Sequence, residues 1–315
     1  MPFLNNSVQQ PGVQELGNLF LSVTGGKVLY VGTAAQIANL GDVGAGITGR
    51  TFTDVNTALG QCVSGRGDLI YVLPGYTENI TGSAWTNAAT INDVRIIGLG
   101  HGTNRPTFTW TATGSQIAIS SANFSLQNVV LNLAGTAATS TVKAIVVTGA
   151  GSIIDNCYIV AGAAGGSQVA TIAIEYGTGA DKATFSNNEM NAPADAACVS
   201  CLKIVAAIDR FRMINNVVDV GMSATGVGVC TMTVAPTNAK IAGNSLRNGI
   251  TNSTKALVAI AGASGYVENN MCYIMAATGA GAAIGTPGAL QCNQNFGQAS
   301  TTNTTGIVTP NTAAT

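Results

Sequence analysis

The sequence predicts an all-β fold, a right-handed parallel β-helix built from coils of about 28 residues. Three observations support this class. An asparagine-centred apolar pattern recurs along the chain, most of its copies follow a second short apolar run, and no helix-length amphipathic pattern separates the two. Because a coil of this size cannot bury its own inner face, coils stacked at about 4.8 Å per layer must form the core together.

Charged residues are scarce: they make up 9% of the 315 residues, whereas 46% are hydrophobic. Soluble proteins average roughly 25% charged residues, so small residues, hydroxyls and amides must cover this surface. The net charge of -1, with no basic cluster, argues against nucleic acid as a partner. The chain has no apolar run of about 18 residues and no signal-like start, so we expect no membrane span and assembly in a cytoplasm.

The segment 1–50 differs in character from the repeats. Residues 1–17 have no periodicity and predict an extended arm that is either disordered or ordered on a partner, and we favour the partner. The runs at 19–23 and 27–31 flank Gly25-Gly26, which favours a β-hairpin. We therefore assign residues 1–50 to attachment. The candidate attachment residues are Phe3, Leu4, Leu19, Phe20, Leu21, Val28 and Tyr30.

A short capping helix is predicted at residues 51–66, where Val55, Ala58, Leu59 and Cys62 recur at helical spacing. The end of a β-stack is an exposed edge, and a helix there would cover it. The cap ends at Arg66-Gly67-Asp68, a tripeptide known from cell adhesion. Turn chemistry accounts for this glycine and aspartate without adhesion.

The β-helix is expected at residues 67–298, in about 7–8 coils. Seven asparagines, spaced 28, 32, 28, 28, 26 and 23 residues apart, are expected at coil corners. Asparagine tolerates the left-handed conformation there, and stacked asparagines can form a hydrogen-bonded ladder. The predicted ladder residues are Asn128, Asn156, Asn188, Asn216, Asn244, Asn270 and Asn293. The companion strand-like runs lie at 143–147, 170–174, 201–205, 228–232 and 256–260.

The seven cysteines lie in apolar stretches and indicate buried free thiols rather than a disulfide framework. The spacing of Cys198 and Cys201 could supply half of a zinc site. The other half is missing, because His101 is the single histidine and no second close cysteine pair exists. We therefore expect no metal and no cofactor.

The stretch TFTDVNTALGQCVSGRGDLIYVLPGYTENI (51–80) resembles the opening of pectate-lyase-like β-helices. In that superfamily a capping helix covers the first coil and a strand with the pattern GD-I-V-PG-Y-E begins the stack. The tight motif covers some thirty residues, and the architecture covers residues 51–297. The resemblance implies the fold. It does not carry over the chemistry of the family's enzymes, which cleave acidic polysaccharides with carboxylates from adjacent coils and an arginine or calcium ion.

Such a catalytic constellation is not expected here, because no carboxylate is expected to recur at one coil position in consecutive turns. The carboxylates considered are Asp155, Glu175, Asp181, Glu189, Asp195, Asp209, Asp219 and Glu268. Asp209, Arg210 and Arg212 form the densest charged group and are interpreted as a solvated turn. We expect no catalytic residue and no enzymatic activity.

A short neutral β-helix with an N-terminal arm resembles bacteriophage virion proteins, especially trimeric head decoration (cement) proteins. The resemblance implies a homotrimer on the virion surface that binds the major capsid protein through residues 1–50. A host-surface glycan is a further candidate partner, and the tail 299–315 could cross to a neighbouring subunit. The alternatives are a receptor-binding tailspike or fibre and a polysaccharide lyase or hydrolase.

Overall fold

The computed structural model describes residues 26–40, 49–112, 114–133, 143–162, 171–192, 198–221, 228–251, 255–275, 284–285, 290–299 and 305–308. These residues form an all-β parallel solenoid, which confirms the predicted class. They include two short α-helices, α1 (Ala34–Ala38) and α2 (Val55–Gly60), and two 3-10 helices, η1 (Thr86–Ala89) and η2 (Gly102–Asn104).

In the described ranges, three sheets, A, B and C, run along the solenoid, and the strands counted for each sheet are those of the described residues. Sheet A has 11 strands, in spatial order β2 (Thr51–Phe52), β1 (Val28–Val31), β3 (Leu69–Val72), β6 (Arg95–Gly98), β9 (Ser125–Gln127), β12 (Ile153–Asp155), β15 (Thr184–Ser186), β18 (Arg212–Ile214), β21 (Ala239–Ala242), β24 (Gly265–Glu268) and β27 (Leu290–Asn293). Sheet B has 10, in order β4 (Thr77–Ile80), β7 (Thr107–Trp110), β10 (Val130–Asn132), β13 (Tyr158–Val160), β16 (Glu189–Ala192), β19 (Val217–Val220), β22 (Ser245–Thr251), β25 (Met271–Met275), β28 (Asn295–Ala299) and β29 (Thr305–Val308). Sheet C has 8, in order β5 (Ser83–Ala84), β8 (Gln116–Ile119), β11 (Lys143–Val147), β14 (Ile172–Tyr176), β17 (Ser200–Ile204), β20 (Gly228–Met232), β23 (Lys255–Val258) and β26 (Ile284–Gly285).

The chain visits the sheets in the fixed order A, B, C, from β3–β5 to β24–β26. Each coil therefore contributes one strand to each sheet, and the neighbour of a strand is its counterpart in the next coil. The strand-like runs predicted ahead of the asparagine segments lie on β11, β14, β17, β20 and β23 of sheet C, with bounds shifted by up to two residues.

Apolar side chains stack in register inside the solenoid. In sheet A the inward column is Ile70, Ile96, Leu126, Ile154, Phe185, Met213, Ile241, Val267 and Cys292. In sheet C it includes Ile117, Ile145, Ile174, Leu202, Cys230 and Leu257. These residues belong to one continuous buried cluster. Each large apolar side chain buried in this way contributes roughly 1.5–3 kcal/mol, so the stacked columns stabilise the coils jointly.

The solenoid begins earlier than the expected boundary at residue 67. Strand β1 pairs in parallel with both β2 and β3 and is part of sheet A. The predicted hairpin partner at 19–23 lies outside the described residues. A short apolar run such as Val28–Val31 fits a hairpin and a parallel sheet equally well, because its side-chain pattern does not encode its partner.

Helix α2 closes the N-terminal end of the core. Asp54 is its N-cap and accepts a hydrogen bond of 2.7 Å from the backbone N–H of Thr57. Val55, Ala58 and Leu59 are fully buried in the core cluster, so the predicted capping helix is present over a shorter span. The antiparallel strand β29 pairs with β28 at the opposite end of sheet B. This described part of the tail therefore pairs within its own chain.

Candidate functional site

A column of buried asparagines follows the corner between sheets A and B. In four consecutive steps, the Nδ2 of one asparagine donates to the Oδ1 of the asparagine in the next coil at 2.9–3.1 Å, and its backbone N–H donates to the same oxygen at 2.9–3.0 Å. Each Nδ2 also reaches a backbone carbonyl of the preceding coil. The column, called the asparagine ladder, consists of Asn188, Asn216, Asn244, Asn270 and Asn295.

The residue before each ladder position turns the corner. Asn187, Asn215 and Asn269 have φ between 54° and 55°, the left-handed region that asparagine tolerates better than most residues. The ladder asparagines are not among the described residues with positive φ. The two adjacent columns therefore have different roles. Residues of the corner-turning column adopt the left-handed backbone conformation, and residues of the asparagine ladder make the buried hydrogen bonds.

Three of the seven predicted ladder residues lie elsewhere. Asn128 and Asn156 occupy the corner-turning column, with φ of 55° and 51°, and are joined to each other at 3.2 Å. Asn293 lies on β27 opposite Glu268, and Asn295 takes the ladder position. Alignment on asparagine alone could not separate two neighbouring positions that both favour this residue.

The Arg66-Gly67-Asp68 tripeptide is locked into the cap. Asp68 is fully buried and accepts hydrogen bonds from the backbone N–H groups of Lys27 and Val63, both at 2.7 Å. Arg66 donates to both carboxylate oxygens of Asp68 at 2.6 and 2.7 Å. Because the Asp68 carboxylate is buried and hydrogen-bonded within the chain, this tripeptide is structural and cannot present Asp68 to a receptor.

Most carboxylates in the described ranges hold the structure together. Of 14 acidic residues, Glu15, Asp42 and Asp195 lie outside those ranges, which leaves eleven. Ten of the eleven accept a hydrogen bond or form an ion pair: Asp54, Asp68, Glu78, Asp93, Asp155, Glu175, Asp181, Asp209, Asp219 and Glu268. Within the described part of the chain, Glu189 alone has no such partner.

Asp181 and Asp209 stack at the same corner of consecutive coils, contrary to the expectation that no carboxylates would do so. They are 28 residues apart, and the backbone N–H of Asp209 donates to Asp181 Oδ1 at 2.7 Å. Hydrogen bonds from Asn238, Arg210 and Thr237 lower the pKa of Asp209 to about 2. A carboxyl group with that pKa stays ionised near neutral pH and is a poor general acid.

A groove of about 500 Å³ lies on the outer face of sheet B. Four of its lining residues are register partners on consecutive strands: Thr107, Val130, Tyr158 and Glu189. The loop that carries η2 forms its rim and contributes Gly102, Thr103 and Arg105. This set, named the sheet B groove, brings together a cation, an aromatic ring and the unpartnered carboxylate. Of this set, the sequence singles out Glu189 alone, because Arg105 lies more than fifty residues from Tyr158 and only the stacking of the coils brings them together.

The same column of sheet B continues as an exposed apolar row. Val217 follows Glu189 in register, and Met271 and Phe296 follow after Ser245. Val217, Met271 and Phe296 are 51%, 65% and 56% exposed. These three residues, the sheet B apolar row, form an uncovered hydrophobic strip.

The candidate attachment residues are placed only in part. Val28 and Tyr30 are 3% and 7% exposed and pack on the outer face of sheet A with Leu69, Tyr71 and Leu73. Since they are buried within this chain, the expectation that they present an attachment surface is wrong. Phe3, Leu4, Leu19, Phe20 and Leu21 lie outside the described residues.

All seven cysteines are buried free thiols, as the sequence predicted. Burial raises the pKa of Cys157, Cys230 and Cys272 to about 12, so these thiols stay protonated and unreactive. The sulfur atoms of Cys198 and Cys201 lie 3.7 Å apart in the core. No group of three or more potential metal-ligating side chains lies together among the described residues.

No protein family, curated protein or solved structure matches the chain in sequence or structure comparisons. Neither of the two described α-helices is long and apolar enough to cross a membrane.

Proposed function

We propose that this protein is a non-enzymatic structural protein of a bacteriophage particle, a capsid decoration (cement) protein that forms trimeric knobs on the virion surface. The proposal that the protein is not an enzyme is supported by the contacts of its carboxylates. Ten of the eleven in the described ranges are engaged in capping, ladder-like or ion-pair contacts. Acid-base catalysis needs carboxyl groups that are free to exchange protons with a substrate.

The build of the solenoid supports a role as a persistent surface projection. The inward columns and the asparagine ladder tie each coil to the next by burial and by buried hydrogen bonds. Stacked repeats of this kind gain stability from every neighbouring interface and form a stiff column. A surface with few charges and many hydroxyl and amide groups adds little electrostatic attraction to nucleic acid.

The sheet B apolar row supports self-association. Val217, Met271 and Phe296 leave a hydrophobic strip uncovered in the single chain, and charged residues that would oppose association are few. Identical subunits most often close around a symmetry axis, and three prism-shaped solenoids can bring this row together around a three-fold axis. Met271→Glu should therefore convert the trimer to a monomer in light scattering, whereas Val63→Glu, at an exposed apolar position in the loop after helix α2, should leave it trimeric.

The experiment that tests the proposal is localisation of the protein on intact particles by electron cryomicroscopy. We expect three-fold knobs of solenoid density at the capsid surface. Density at the tail tip would replace this proposal by a receptor-binding tailspike or fibre. If no density for the protein were found anywhere on intact particles, any role in the virion would be excluded.

The stacked pair Asp181 and Asp209 is the observation that favours the second candidate, a polysaccharide lyase or hydrolase. Carboxyl groups on adjacent coils can fall within the 5–10 Å or so that glycoside cleavage requires. The purified protein should nevertheless leave acidic, neutral and capsular polysaccharides intact with or without calcium. Turnover that disappears in Asp209→Asn, or in variants of Asp155, Glu189 or Glu268, would establish the enzyme instead.

A further inference from the structure

We propose that the sheet B groove is a binding site for a neutral pyranose sugar. Its floor is the register column Thr107, Val130, Tyr158 and Glu189, and its rim is the loop at Gly102–Arg105. The volume of about 500 Å³ falls within the range of small-molecule sites, roughly 300–1,000 Å³. This site goes beyond the structural role proposed above and stands on its own geometry.

Glu189 is the first reason to assign a ligand to this groove. It is exposed on β16 and, in the described part of the chain, it is the one carboxylate without a hydrogen bond or ion pair. Its register neighbours are Tyr158 and Val217, neither of which is a cation. A carboxylate that has no protein donor can accept hydrogen bonds from two hydroxyl groups of a sugar.

Arg105 is the second reason, and it is independent of the first. The Nε atom of Arg105 is buried and has no hydrogen-bond partner, although the guanidinium is held at the corner by a 3.4 Å contact from Nη1 to the carbonyl of Asn156. Arg105 also lines the groove, so its guanidinium can donate hydrogen bonds to an oxygen atom of a ligand bound there. The arginine thus adds hydrogen-bond donors to the groove that Glu189 also lines.

Tyr158 completes a platform that fits a sugar ring. It lies between Val130 and Glu189 on consecutive strands, which are about 4.8 Å apart. An aromatic ring offers an apolar face to the C–H groups of a pyranose and a hydroxyl group at its edge. Apolar surface with a few convergent polar groups is the usual composition of a small-molecule site.

The charged side chains of the sheet B groove favour a neutral ligand. Glu189 and Arg105 carry opposite charges, so the groove has no excess cation to reward a carboxylate or sulfate group, and Glu189 would repel one. A second groove, on sheet A, differs in its charged groups, which include Arg66, Asp93 and Arg95. Its groups Arg66 and Asn123 are already bound to Asp68 and Asp93.

The test is titration of the purified full-length chain with maltose, cellobiose, lactose and chitobiose, and with 3′-sialyllactose as the anionic comparator, followed by saturation-transfer NMR and calorimetry. We expect saturable binding of at least one neutral disaccharide, weakened at least tenfold in Tyr158→Ala and in Glu189→Gln. The matched control is Tyr266→Ala, which removes a tyrosine that is 53% exposed on sheet A and should leave the affinity unchanged.

Three results would overturn the assignment. They are the absence of saturable binding of every neutral disaccharide, equal loss of affinity in the Tyr266 control, and tighter binding of sialyllactose than of lactose. Far-UV circular dichroism of each variant shows whether it is folded, and Arg105→Gln provides a third probe of the groove. Because binding is measured on the purified protein, its failure is separate from failure to find the protein on particles.

Discussion

At the scale of single residues, the corner between sheets A and B uses asparagine for two different physical reasons at adjacent positions. Asn215 adopts a left-handed backbone, whereas Asn216 is fully buried and makes five hydrogen bonds through its side chain. The sequence revealed the repeat but not this division, because both positions favour the same residue. Where Cys157 replaces asparagine in the ladder column, its backbone N–H still donates to Asn188 Oδ1 at 2.9 Å.

Asn216→Ala should lower the free energy of unfolding by about 1–3 kcal/mol, because it leaves buried donors and acceptors of the adjoining coils without partners. Asn191→Ala, on the exposed face of β16, should change it by less than about 0.5 kcal/mol. Chemical denaturation of the two variants measures the difference. Equal effects would show that the ladder does not stabilise the stack.

Asn215 tests the backbone role separately, since φ is 55° there. Asn215→Gly should cost less than about 1 kcal/mol, because glycine populates the left-handed region freely. Asn215→Val should cost clearly more, roughly 1–2 kcal/mol beyond the glycine variant, because a branched side chain clashes in that conformation. Thermal melts that rank valine and glycine equally would contradict the backbone explanation.

At the scale of elements, the N-terminal cap is held by hydrogen bonds to carboxylates rather than by helix length. Helix α2 has six residues and would not be stable alone. Glu78, at an inward position of β4, accepts hydrogen bonds from the backbone N–H of Val55 (3.1 Å), Tyr76 Oη (2.9 Å) and Trp85 Nε1 (3.1 Å). One side chain therefore joins the cap helix to the first coil.

Glu78→Gln should destabilise the protein by about 1–3 kcal/mol, because the amide replaces one accepting oxygen with a donor that faces other donors. The matched control is Glu189→Gln, the same chemical change at an exposed carboxylate without a partner, which should be nearly neutral. Differential scanning calorimetry separates the two. A neutral Glu78→Gln would mean that apolar packing alone holds the cap.

Asp68 should make the first coil sensitive to acid. Burial raises its pKa, but hydrogen bonds from Arg66, Val63 and Lys27 outweigh burial and hold the pKa below its ordinary value. A depressed folded-state pKa stabilises the protein above the unfolded-state pKa of about 4, and this contribution is lost as the pH falls through the folded-state value.

The melting-temperature gap between wild type and Asp68→Asn should therefore shrink between about pH 5 and pH 2.5. Asp219→Asn, which removes an exposed ion pair with Arg247, is the control and should change the melting temperature little at either pH. A gap at Asp68 that stays constant would contradict the pKa argument.

The repeat, the cap helix and the sheet C strands were predictable because each leaves a local pattern of apolar residues. The pairing partners of β1 were not predictable, because the apolar pattern of Val28–Val31 is the same for a strand in a hairpin and for a strand in a parallel sheet. The sheet B groove was not predictable either. Its members Arg105 and Glu189 are 84 residues apart, and only the exact number of residues in each intervening coil brings them to one face.

At the scale of the whole molecule, strand β1 changes how attachment must be tested. Removing residues 2–31 would strip β1 from sheet A, open an edge on β3 and expose Leu69, Tyr71 and Leu73. Loss of particle binding by that truncation would follow from damage to the solenoid as well as from loss of an arm. A truncation that ends before β1 keeps the two causes apart.

Deletion of residues 2–25 leaves β1 and its pairing with β2 and β3 intact. The shortened protein should remain soluble, should melt within a few degrees of the wild type, and should no longer decorate particles, because it lacks the arm at residues 1–17, which is part of the segment assigned to attachment. Occupancy on particles that lack the native protein, measured by electron cryomicroscopy after adding each form back, provides the comparison. If the shortened protein bound capsids at wild-type occupancy, the attachment surface would have to lie on the solenoid itself, and the sheet B apolar row would become the first surface to mutate.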